Sequence, residues 1–326
     1  MLRMLGLVFK KNILYIGFVL LGIFAGMDCQ AQQSAAEQYD SGLQKSSAMT
    51  LGQAAVLGIV EGVTEYLPVS STGHLLLAER AMNIGANEDS KEASDAYAIC
   101  IQIGAILAVF GLYFRRVKQM VNGVLGRDDY GRQLLINVVV GFMPAAVIGL
   151  LFNKIIKLYL FGIWPVVAAW FVGGVAILVV SWRGAKKQHP AQGGLSILEL
   201  SWRMALIIGF AQCIAMWPGV SRSLVTIVGG VLVGLSLSAA VEFSFLLGLV
   251  TLSAATAYDA LKHGEVMLHT FDGWSLAVGV IFAFGAALIS VKWMVAYLNR
   301  HGLAIFGYYR VAVALVVALL LVNGVF

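Results

Sequence analysis

The stretch Glu61-Gly62-Val63-Thr64-Glu65-Tyr66-Leu67-Pro68-Val69-Ser70-Ser71-Thr72-Gly73-His74 decides the fold. It lies in an apolar run that begins at Leu51. Two carboxylates four residues apart share one face of a helix. Pro68 ends or kinks that helix, because it lacks an N–H and crowds the preceding turn. A Ser/Thr cap after a proline turn accounts for one hydroxyl. It does not account for Glu61, Glu65 and His74 among Ile59, Val60, Val63, Leu75, Leu76 and Leu77. Ionisable side chains at membrane depth are costly and mark function. The stretch reads as a polar site in an apolar wall.

Working outward, 60% of the 326 residues are hydrophobic and only 12% are charged. With a mean hydropathy of +0.86, this composition indicates a polytopic all-α membrane protein and excludes a soluble domain. No basic cluster interleaved with aromatics points to nucleic acid. Cys100 and Cys213 lie in apolar runs and read as buried thiols; with Cys29 they form no metal or disulfide pattern.

Residues 1–27, with Arg3, Lys10 and Lys11 before an apolar run, read as a signal peptide or signal anchor. Residues 28–50 read as a flexible polar linker. Residues 51–66 and 73–84 are both short for a span, which needs about 20 residues. Around Pro68 they form a re-entrant hairpin, a backbone tolerated at membrane depth only when buried in protein or lining a cavity. An acidic loop is expected at 85–96. Six full spans fit near 97–114, 133–152, 163–181, 243–260, 274–298 and 303–325. Arg115, Arg116, Lys118, Arg127 and Arg132, then Arg183, Lys186 and Lys187, then Arg300 place their connections in the cytoplasm. The 85–96 and 261–273 loops then fall outside; Lys154 and Lys157, also outside, are a mild violation.

A second hairpin is expected at about 203–235, around Trp217-Pro218-Gly219-Val220-Ser221-Arg222-Ser223. A shift of 151 residues lays Gly58 on Gly209, Glu61 on Gln212, Ser70 on Ser221 and Ser71 on Arg222. Each hairpin precedes three spans, and the charges make them enter from opposite sides. That is an inverted-topology repeat, with 51–181 as the first half, 182–202 as a cytoplasmic connection and 203–326 as the second half.

If the hairpins meet, Glu61, Glu65, Ser70, Ser71, Thr72 and His74 face Ser221, Arg222, Ser223 and Thr226. A guanidinium fork, hydroxyls and a helix start suit phosphate. Two adjacent glutamates imply either a bridging divalent cation, Mg or Ca, or a carboxyl acting as acid or base. Ser70 or Ser71 could be a nucleophile activated by His74 or a glutamate. The bland alternative for Arg222 is an ion pair with Glu61 or Glu65. Glu242 and Arg310 read as a structural pair or as interface anchors, and Gln102 as a hydrogen bond between helices. Trp164, Trp170, Trp182, Trp202 and Trp274 read as interfacial belt residues.

The motifs 61–74 and Pro218-Gly219-Val220-Ser221-Arg222-Ser223 closely resemble the two signatures of the undecaprenyl-diphosphate phosphatase family, the integral-membrane bacitracin-resistance proteins. Ile101-Gln102, Glu242-Phe243-Ser244, Tyr258-Asp259 and Tyr309-Arg310 match as well. The resemblance implies hydrolysis of undecaprenyl diphosphate in the bacterial inner membrane, recycling the lipid carrier for the cell wall. It implies a site open to the periplasmic or outer side, with Glu65, Ser71 and Arg222 carrying the reaction and Glu61 and His74 assisting. It leaves open whether serine attacks or a metal-held water does, and whether the protein is a homodimer. A flippase for undecaprenyl phosphate is the rival reading. The segment to about residue 50 departs from the family pattern. An intact mass of 34.9 kDa for the purified protein would establish that this segment is retained; a smaller mass would establish cleavage.

Overall fold

The structure, a computed structural model, describes residues 49–84, 88–160, 162–185, 193–271 and 273–325. The expected signal or anchor at 1–27 and nearly all of the 28–50 linker lie outside the described residues. Eleven α-helices are described: α1 (Leu51–Thr64), α2 (Ser71–Ala81), α3 (Glu88–Leu112), α4 (Phe114–Val124), α5 (Asp129–Leu160), α6 (Ile163–Ala185), α7 (Trp202–Cys213), α8 (Arg222–Leu232), α9 (Leu237–Thr270), α10 (Gly273–His301) and α11 (Ala304–Val322). Among the described residues there is no strand, only a bridge between Leu195 and Leu235.

Six helices are long and apolar enough to cross a bilayer, with apolar segments at Ser94–Leu112, Asp129–Phe152, Ile163–Trp182, Leu237–Leu261, Gly273–His301 and Ala304–Val322. These match the six expected spans. Leu150, Leu151, Ile281, Ile289, Leu319 and Val322 are exposed on them, as lipid-facing positions are.

Several expectations are corrected. The acidic stretch read as a loop at 85–96 is helical from Glu88, since α3 starts there. Its Glu, Lys and Ala residues are good helix formers. The 261–273 loop is likewise helical to Thr270. The basic connection at 115–132 contains α4, whose Met120 and Gly123 are buried. A Cβ on Gly123 would meet the backbone of Arg132, so α4 and α5 pack closely. Trp170 is buried, not interfacial, because its indole donates to the Val69 carbonyl at 3.0 Å; Trp164, Trp182, Trp202 and Trp274 are exposed. Glu242 pairs with Arg116 at 2.6 Å and not with Arg310. Cys100 is buried, but Cys213 only half so.

Short helices pack against long ones. Thr50 opens α1 with a capping box to Gln53. α1 packs on α10, and α7 on α5. Each approach is made at a glycine: a Cβ on Gly58 would strike the Gly279 carbonyl, and one on Gly209 the Gly141 carbonyl. α6 packs on α11, and α9 on α3 and α8. The Gln102 amide accepts from Thr256 Oγ1 at 2.9 Å, the inter-helix bond expected of it. Gly58→Val should force α1 from α10 and cost about 1–3 kcal/mol. A lowered detergent melting temperature checks this; an unchanged one contradicts the close approach.

Candidate functional site

α1 ends at Thr64, with Glu65 as its C-cap donating its N–H to the Glu61 carbonyl at 2.9 Å. Glu61 and Glu65 are thus one turn apart, and both are buried. Pro68 keeps the chain from continuing as helix. The chain turns at Ser70, whose φ is +74°, and α2 starts at Ser71. The second break ends in the same way. Gly219 has φ +96° and Ser221 has φ +77°, and α8 starts at Arg222. Positive φ in a residue other than glycine costs on the order of 1 kcal/mol. Two serines hold it at the same place relative to a helix start.

The breaks touch. Ser223 Oγ donates to the Leu67 carbonyl at 2.9 Å, and Ser221 Oγ to the same oxygen at 3.4 Å. That contact brings Arg222 to Glu65. Arg222 Nη2 donates to Glu65 Oε1 at 3.0 Å, and Ser71 Oγ donates to Glu65 Oε2 at 2.5 Å. One carboxylate therefore links a hydroxyl to a guanidinium, all three largely buried and drawn from different elements. A hydroxyl whose proton points at a carboxylate is arranged to lose it when it attacks. A guanidinium beside it suits phosphoryl oxygens.

Arg222 is held from three further sides. Nη1 donates to the Ser244 carbonyl at 3.1 Å. The Tyr66 ring lies 5.2 Å from its Cζ, a cation–π distance. Gly248 faces the guanidinium, where a Cβ would overlap it. Behind Tyr66, Phe245 packs edge-on at 5.3 Å and Tyr113 packs on Phe245 at 5.7 Å, closing that side with rings.

The other expected site residues are placed as follows. His74 lies on the far side of α2's first turn. Its Nδ1 donates to the Ser70 carbonyl at 2.7 Å, and its Nε2 is 2.7 Å from Tyr309 Oη. Both ring nitrogens are engaged away from Ser71. Thr72 is exposed. Ser221, Ser223 and Thr226 are buried with protein partners; Thr226 Oγ1 lies 2.6 Å from Ser244 Oγ. Glu61 Oε1 is buried without a partner. The sequence assigns no site role to Tyr66, Ser244, Gly248 or Tyr309. Gly248 and Ser244 are one turn apart on α9, but no local pattern ties them to Arg222.

A divalent cation can be tested against these groups. Among the described residues no three His, Cys, Asp or Glu cluster as ligands, and both Glu65 oxygens already accept hydrogen bonds. The unpartnered Glu61 oxygen fits the Mg²⁺ manner of binding, with one or two carboxylates and substrate phosphates as ligands.

Fold and site together define a polytopic helical membrane protein with a buried serine–carboxylate–arginine centre. The chain belongs to the family described as "Bacitracin resistance protein BacA", whose model matches residues 54–316. It is similar to the undecaprenyl-diphosphatase of Sorangium cellulosum, 44% identical over 265 residues, covering 81% of this chain and 84% of that protein. It is also similar to those of Bradyrhizobium diazoefficiens, 44% identical over 80% of this chain and 94% of that protein, and Rhodopseudomonas palustris strain BisA53, 45% identical over 80% and 93%.

Gly248→Ala should push the Arg222 guanidinium off the Ser244 carbonyl and Glu65. A structure of the variant checks this, and an unmoved ion pair contradicts the packing described.

Proposed function

We propose that this chain hydrolyses undecaprenyl diphosphate to undecaprenyl phosphate and inorganic phosphate, returning the lipid carrier to cell-wall synthesis. The observation that carries the reading is the Ser71–Glu65–Arg222 linkage, in a chain whose relatives bear the name undecaprenyl-diphosphatase. Arg222 holds the terminal phosphoryl oxygens. Glu65 takes the Ser71 proton as Oγ bonds to the terminal phosphorus. The anhydride P–O bond breaks, and undecaprenyl phosphate leaves. Water then attacks the phosphoserine while Glu61 accepts its proton; the Ser71 Oγ–P bond breaks, Glu65 returns its proton to Ser71, and phosphate departs with the proton that Glu61 gives up. A divalent cation held by Glu61 would add charge neutralisation at the diphosphate. The starts of α2 and α8 favour the anion through their helix dipoles.

The finer architecture belongs to the same proposal. Residues 51–181 and 203–326 are inverted repeats, each a re-entrant hairpin followed by three spans. Three matches at the 151-residue spacing support this: α1 and α7 start at Leu51 and Trp202, and α2 and α8 span Ser71–Ala81 and Arg222–Leu232. The packing supports it too, because each hairpin's first helix packs on the second span of the other half. In this reading the protein lies in the bacterial inner membrane, and the basic connections support an orientation with the site toward the periplasmic or outer side. The paired breaks also favour a second reading, a flippase for undecaprenyl phosphate, since this is transporter architecture.

Detergent-purified protein should release phosphate from undecaprenyl diphosphate. Ser71→Ala and Arg222→Ala should each lower kcat by about 10³-fold or more. EDTA sensitivity would add the cation to the mechanism. Well-folded wild type that releases no phosphate but moves lipid across vesicles would replace this reading with the flippase.

A further inference from the structure

Arg310, on α11, is fully buried and makes no ion pair among the described residues. Its guanidinium instead reaches three carbonyls. Nη1 donates to Pro68 at 3.3 Å; Nη2 donates to Gly219 at 2.8 Å and to Ala169 at 2.9 Å. Pro68 and Gly219 stand 151 residues apart, the spacing that relates Ser70 to Ser221. One side chain thus bridges the matching carbonyls of the two breaks. Gly173 packs behind the guanidinium, where a Cβ would strike it. The preceding residue, Tyr309, meets His74 at 2.7 Å, so two consecutive residues of α11 hold both breaks and the first turn of α2.

Burying a charge without a countercharge is costly, and carbonyl dipoles offset it only in part. An apolar side chain would fill the space at less cost. What an apolar side chain lacks is a planar fork able to engage two separate chain segments.

We propose that Arg310 is a positioning residue for phosphoryl transfer: its guanidinium fixes the distance and orientation of the two breaks, and so the register of Ser71 and Glu65 against Arg222. This rests on the phosphatase reading given above. Lysine at 310 keeps the charge but loses the fork, so it separates charge from geometry. Gly173→Ala presses on the guanidinium without replacing it.

The test compares wild type, Arg310→Lys, Arg310→Met and Gly173→Ala in one phosphate-release assay and in backbone amide exchange. Arg310→Lys should stay folded and lose about 100-fold in kcat, the scale set by a misplacement of roughly 1 Å. Its KM should stay within about threefold of wild type, because ground-state binding is retained. Exchange should rise together in 66–72 and 217–223. Gly173→Ala should show the same paired signature, more weakly, and it decides the matter if neither Arg310 variant folds. Near-wild-type kcat in Arg310→Lys, or exchange rising in only one break, overturns the proposal. A wild type without turnover overturns the phosphatase reading instead, while the exchange result still decides whether Arg310 couples the breaks.

Discussion

Buried backbone that leaves the helix must find hydrogen bonds from the protein itself. The first break meets this demand carbonyl by carbonyl. Leu67 accepts from Ser221 and Ser223, Pro68 from Arg310, Val69 from the Trp170 indole and Ser70 from His74. The donors come from α2, α6, α8 and α11 and from the second break. A shift of α2, α6, α8 or α11 would strip one of these oxygens of its donor, which ties the packing of those helices to the local geometry at Pro68.

The same constraint creates the chemistry. Ending α1 at Thr64 and restarting at Ser71 folds the chain back, so that a serine reaches the glutamate six residues before it. The repeated device at Ser221 turns Arg222 toward that carboxylate. Small residues then set how close the walls come: Gly248 leaves room for the guanidinium, and Gly58 and Gly209 let the short helices sink against α10 and α5. Tyr66, Phe245 and Tyr113 seal one side with edge-on rings. Burial strengthens the charge contacts it leaves behind.

Much of this was legible in sequence because it is local. The glutamate spacing, Pro68, the hydroxyl cluster and the six apolar runs all carry short-range signals. Long-range partners carry none, so the Ser244 carbonyl, Gly248 and Arg310's three carbonyls could not be read. Arg310 looked like a partner for Glu242 because charges in apolar spans are expected to pair; backbone oxygens satisfied it, and Arg116 took Glu242. By residue type Ser221, Ser223 and Thr226 suit phosphate; in the structure their hydroxyls also have protein partners. The polar stretches at 88–96 and 115–124 are helical although their charge suggests loops, because their helix propensity is high. Fitting side chains to a second chain segment is a tertiary matter that no spacing encodes.

The central claim is that Ser71, poised on Glu65, takes the phosphoryl group. The most direct measurement is acid quenching of the protein during turnover of undecaprenyl diphosphate, followed by peptide mass spectrometry. The account predicts a peptide spanning Ser71 that carries the mass of one phosphoryl group in wild type and does not carry it in Ser71→Ala. Rapid turnover with the Ser71 peptide unmodified at every quench time, and phosphate release surviving in Ser71→Ala, would contradict it.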